Sequence, residues 1–130
     1  MTISRKDYLL QIAKLDKRLI KGSEEYAEIS EKYIFMQDHD ISAMKEEWFS
    51  KVEDFKKIQQ DINRLEIPNA FESMGKELRD AYKRYIDCVE EKTIKFSMET
   101  MNNGELDIIQ DKERQAAEDI ESITETLLGE

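Results

Sequence analysis

The sequence predicts an all-α protein. It reads as one domain over 1–130, folded as an elongated antiparallel bundle of four helices at about 4–21, 23–66, 70–102 and 106–128. Three observations carry this. First, apolar residues recur in sevens: Ala27, Ile34, Ile41, Trp48, Phe55 and Ile62 share one heptad position, Met44, Ile58 and Leu65 hold the complementary one, and Val52 lies beside the seam. Residues so spaced fall on one stripe of a helix, as in a coiled coil, and that stripe needs other helices to cover it. Second, one Pro and four Gly in 130 residues leave few turns, and no Gly- or Pro-bounded run of alternating β-branched residues suggests a strand. Third, 39% hydrophobic and 38% charged residues suit long helices with narrow apolar stripes and wide solvated faces.

The first helix, about 4–21, rests on the stripe Tyr8, Ile12, Leu15 and Leu19, flanked by Leu9 and Ile20. Gly22 followed by Ser23 has the form of a C′ glycine and an N-cap serine, so a break is expected there. The alternative is a helix running straight through Gly22 at about 1 kcal/mol, because the apolar stripe continues in phase through Tyr26, Ile29, Tyr33 and Met36.

The second helix, 23–66, carries the heptad run and would be about 65 Å long. Its weak point is Gln37-Asp38-His39-Asp40, where the stripe shifts. Ile34, Ile41 and Trp48 stay in register across this patch, so one helix with a kink is expected, although Asp38 or Asp40 is a suitable N-cap. Pro68 then ends the helix by excluding Ile67 from helical geometry. Asn69 stands three residues before Glu72, a capping-box spacing for the third helix. That helix, about 70–102, buries Phe71, Met74, Leu78, Ala81, Tyr82, Tyr85, Val89 and Phe96, with a weaker stripe at Ile86, Ile94, Met98 and Met101. Asn102-Asn103-Gly104 ends it. The last helix begins near Asp107, again with a capping-box partner at Gln110, and buries Ile109, Ala116, Ile120, Ile123 and Leu127, with Ala117 and Leu128 beside them.

The net charge of −10 disfavours nucleic acid, whose binding relies on clustered Lys and Arg, and an anionic membrane, which repels most of this surface. Charge is nonetheless divided. Residues 1–22 carry six bases against two acids, a net +4, and residues 105–130 carry nine acids against two bases, a net −7, so the first and last helices are complementary. Met1 to Leu10 lacks the form of a signal peptide and Cys88 is the only cysteine, which together point to the cytoplasm with a reduced thiol.

No candidate for catalysis or cofactor binding stands out. Asp38-His39-Asp40 points in several directions on a helix, and no Glu-x-x-His pair of a di-iron bundle is present. Cys88 sits beside an apolar stripe, as a small core residue does. Glu25-x-x-Glu28, Glu28-x-x-Glu31 and Glu77-x-x-Asp80 place acids on common faces. They are similar to the pairs with which the all-α NTP pyrophosphohydrolases hold Mg²⁺, although they stand farther apart than in that family and lack companion basic or Asn residues for the phosphates. A metal-dependent hydrolase of that type is therefore the rival expectation, and a membrane-surface binder using the basic first helix is another.

The leading expectation is a non-catalytic interaction or scaffold protein without a cofactor, binding another protein or its own copy as a homodimer. A second helix that outruns its neighbours would leave part of its seam uncovered near Tyr33, Met36 and Ile41. With Phe35, Phe49, Met98 and Met101, these form the expected partner-binding surface.

Overall fold

The computed structural model describes residues 3–34 and 40–129. The chain forms α1 (Arg5–Ile34), α2 (Ile41–Arg64), a 3-10 turn (Asn69–Phe71), α3 (Glu72–Lys95), the single-turn-and-a-half α4 (Met98–Asn103) and α5 (Glu105–Leu128). No strand occurs among the described residues. The four long helices are the all-α bundle that the heptad pattern predicts, with boundaries that differ in instructive ways.

The expected break at Gly22 does not occur: α1 continues through it. A Cβ on Gly22 would stand 3.0 Å from Cε1 of Phe55, so the glycine serves close packing of α2 across α1 instead of ending a helix. Ser23 is not an N-cap. Its hydroxyl bonds back to the Leu19 carbonyl at 2.9 Å and meets the Tyr85 hydroxyl at 2.6 Å.

The expected continuous helix over 23–66 is in fact two. α2 begins after Asp40, whose Oδ1 accepts the Ala43 N–H at 3.0 Å and satisfies an otherwise orphaned donor. Splitting the helix lets α2 reverse and pack on α1, which buries apolar area that an extended rod would leave in water. The shift of stripe at this point is the mark of the split. Ala27, assigned to the main seam, is accordingly exposed, while Tyr8, Ile12, Leu15, Leu19, Tyr26 and Ile29 are the buried face of α1.

Pro68 ends the second segment as expected, but Asn69 makes no capping bond. The Phe71 N–H bonds to the Pro68 carbonyl at 2.9 Å in a 3-10 turn that tucks the Phe71 ring beside Tyr8, 5.8 Å between centroids. α3 also ends earlier than the expected 102. Ser97 forms a reciprocal capping box with Thr100, at 3.1 Å and 2.9 Å, and thereby starts α4. Gly104, at φ 79°, separates α4 from α5, which begins at Glu105 and not near Asp107. Only glycine takes this left-handed geometry without strain.

The order around the bundle is α1, α2, α3, α5 and back to α1. Cross-helix pairs fix the directions. Arg18–Asp61 at 2.7 Å, Glu25 with Lys51 and Lys32–Glu47 at 3.1 Å climb α1 while descending α2. Lys56 with Glu90 pairs α2 with an antiparallel α3, and Arg84–Asp119 at 3.0 Å and Lys92–Glu113 at 2.8 Å do the same for α3 and α5. The core runs along the axis through Trp48, Val52, Phe55, Ile58, Ile62, Leu78, Ala81, Tyr82, Tyr85, Val89, Ala116, Ile120 and Leu127. Cys88 joins a small satellite cluster with Leu106 and Ile109.

Candidate interaction surfaces

Of the partner surface expected from the sequence, Tyr33, Ile41 and Phe49 are described, at the C-terminal end of α1 and in the N-terminal part of α2. Phe35 and Met36 are outside the described residues, as are the side chains of Met98 and Met101. Tyr33 is half-buried and its hydroxyl donates a hydrogen bond to Glu47, which also accepts one from Lys32. Ile41 is half-buried in the first turn of α2, and Phe49 is 38% exposed. The overhang that motivated this surface is not present: α2, α3 and α5 are each 24 residues long.

Beneath that pole the helices are locked by a buried polar network. The Trp48 indole N–H donates to the Tyr26 carbonyl at 3.1 Å, and the two rings stack 4.6 Å apart at 4°. Phe96 meets the indole edge-on at 5.0 Å. The Tyr26 hydroxyl pairs with Thr93 at 2.7 Å, and Thr93 donates to the Val89 carbonyl at 2.8 Å. Lys92, held by Glu113, lies over the Tyr26 ring at 4.9 Å. Burial drives the Tyr26 hydroxyl far above the usual tyrosine range. Lys45 closes the end of α3 through the carbonyls of Ile94 and Phe96, at 2.9 and 3.0 Å.

Two of the five acids in the pairs weighed for metal binding, and Asp40 of the Asp-His-Asp patch, are engaged elsewhere. Glu25 pairs with Lys51, Asp80 accepts Arg84 at 2.8 Å, and Asp40 caps α2. Asp38 and His39 lie outside the described residues. Among the described residues, no three His, Cys, Asp or Glu side chains converge as a metal site. The Cys88 thiol is pushed up by burial and then by Glu113 and Glu91.

A groove of about 810 Å³ lies where α1 meets α5. Leu19 and Ile20 of α1, Ile120 and Leu128 of α5 and the Tyr85 ring of α3 give it an apolar interior. Ser23 and Tyr85 also line a second hollow of about 380 Å³ beside Tyr26 and Ala27. Thr124 faces this groove, is 4% exposed, and its hydroxyl has no hydrogen-bond partner among the described residues. The Asp16 carboxyl is held above the usual aspartate range by burial and by Glu121 across the groove. α1 and α5 do lie side by side, as the opposite charges of the first and last helices suggest. Yet the lysines Lys6, Lys14, Lys17 and Lys21 are exposed, and no α1–α5 ion pair occurs among the described residues.

Sequence reasoning missed this groove. The signal was present in Asp16, Ile20 and Glu24 on α1 and in Ala117, Glu121 and Leu128 on α5, each set at one- or two-turn spacing on one flank. It is a polar-apolar flank beside the main stripe, and such a flank takes meaning only when the neighbouring helix is known. No family model matches this chain, and comparison with curated proteins and with solved structures found no match. No described helix is long and apolar enough to cross a membrane.

Proposed function

We propose that this protein is a non-catalytic helical interaction module that binds another protein chain along the α1–α5 groove. One observation supports the reading above all others. Three seams of the bundle are bridged by ion pairs, whereas the α1–α5 seam has none among the described residues and opens as a groove of about 810 Å³, against hollows of about 500 and 360 Å³ on the α3–α5 and α1–α2 seams, with Ile20 and Leu128 exposed at its edges. Exposed large apolar side chains flanking an apolar cleft are a common mark of partner sites, because burying them removes their cost of hydration. The experiment places a photoreactive residue at Ile20 and, as a control, at Glu46 on the exposed face of α2. A discrete adduct from position 20 and none from position 46 is the expected result. Equal labelling from both, or from neither, overturns the reading.

A second reading, self-association as a homodimer, is favoured by Lys6, Lys14, Lys17 and Lys21 of α1, which are exposed, complement the acidic α5 and form no ion pair among the described residues. An adduct of twice the chain mass from position 20, with a dimeric mass by light scattering, decides for it.

A further inference from the structure

The groove has a chemistry that its occupant must match. Its charged lining consists of Asp16 and Glu24 on α1 and Glu121 and Glu125 on α5, all acidic. We propose that the groove docks a basic amphipathic helix of another protein, with apolar side chains over Leu19, Tyr85 and Ile120 and Lys or Arg side chains against these four carboxylates. This rests on the interaction reading above and specifies its partner.

The spacing suits a helix. Asp16 and Glu24 stand two turns apart, about 12 Å along α1, and Glu121 and Glu125 one turn apart, about 6 Å along α5. Bases at one- and two-turn intervals on a docked helix therefore meet acids on both walls. An apolar stripe between them fills the groove, which is the arrangement of helix-in-groove recognition. The crowding of Asp16 with Glu121 is relieved by a cation set between them. The local complementarity of the α1 lysines to α5 favours a second copy, but the net repulsion between two chains of −10 outweighs it and points to a basic partner instead.

The test titrates the full chain with three fluorescent 18-residue peptides: an amphipathic Leu/Lys helix, a scrambled Leu/Lys peptide of the same composition, and an amphipathic Leu/Glu helix. The Leu/Lys helix is expected to bind at least about tenfold more tightly than either other peptide, with affinity falling as salt rises. Glu121→Gln with Glu125→Gln should weaken it, and so should Ala117→Trp, which fills the groove without changing charge. Glu46→Gln with Glu53→Gln, the same loss of charge on α2, should leave it unchanged. If Ala117→Trp does not fold, Ile20→Lys at the exposed rim replaces it as the blocking variant. Equal binding of the scrambled peptide, equal weakening by the α2 pair, or indifference to the blocking variant overturns the proposal, because the attraction is then to net charge alone. A dimeric mass that the blocking variant makes monomeric also overturns it, in favour of a second copy. Selective photo-adducts from position 20 without Leu/Lys binding refute the basic helix and leave the interaction reading standing; loss of both removes that reading as well.

Discussion

Single residues hold the two poles of the bundle by different means. At the α1–α2 pole, Thr93 is buried and satisfies both the Val89 carbonyl and the Tyr26 hydroxyl. Thr93→Val keeps the shape and strands the tyrosine hydroxyl, so denaturant unfolding should show a loss of about 1–3 kcal/mol. Tyr26→Phe in the same background should restore part of that loss, since the unpartnered group is then gone. Trp48, 3% exposed and stacked on Tyr26, should emit at the blue end of the tryptophan range, and Trp48→Ala should cost about 3–5 kcal/mol. At the other pole a Cβ on Gly75 would come within 2.7 Å of Ile67 and 2.9 Å of the Tyr8 hydroxyl. Gly75→Ala should therefore destabilise by about 1–3 kcal/mol despite its better helix propensity. The burial of Trp48 was legible from its place in the heptad run. The roles of Gly22 and Gly75 were not, because a glycine that ends a helix and one that admits a neighbour look alike until the neighbour is placed.

At the scale of elements, the long apolar stripes were legible and the breaks were less so. The stripes follow from periodicity, which sums over many residues. A break depends on a few hydrogen bonds whose partners compete, as at Asp40, Ser97 and Gly104. Asp40 won over a continuous rod because reversing the chain covers the stripe. Asp40→Ala should cost about 0.5–2 kcal/mol through the loss of the cap to Ala43. The α1–α5 seam yields a second prediction. The Asp16 carboxyl faces Glu121 on α5 and the Tyr82 hydroxyl on α3, and its folded pKa lies above the ordinary aspartate value, chiefly through burial. Its ionised form therefore opposes folding, and stability falls as pH rises from the ordinary value through the raised one. Asp16→Asn should raise the melting temperature at pH 7, and the gain should vanish in acid where the native carboxyl is already neutral.

The molecule as a whole is a ring of four helices with one loose joint. The sequence foretold opposite charge on the first and last helices and their proximity, but not that the basic side chains of α1 would face solvent. Charge content says which elements attract; the angular position of each lysine relative to the core stripe says whether it can reach. The loose joint has a bearing on how the native state breathes. α3 is gripped on both flanks, by α2 and by α5, whereas α1 is gripped along α2 and meets α5 far more sparingly. Fluctuations that expose backbone amides begin where a segment has the fewest neighbours to leave. In native-state hydrogen exchange the amides of α1 should open at lower free energy than those of α3, as one cooperative segment. A helix seated in the groove would give α1 its missing second neighbour, and the slowing of α1 exchange, with α3 unchanged, would register its arrival.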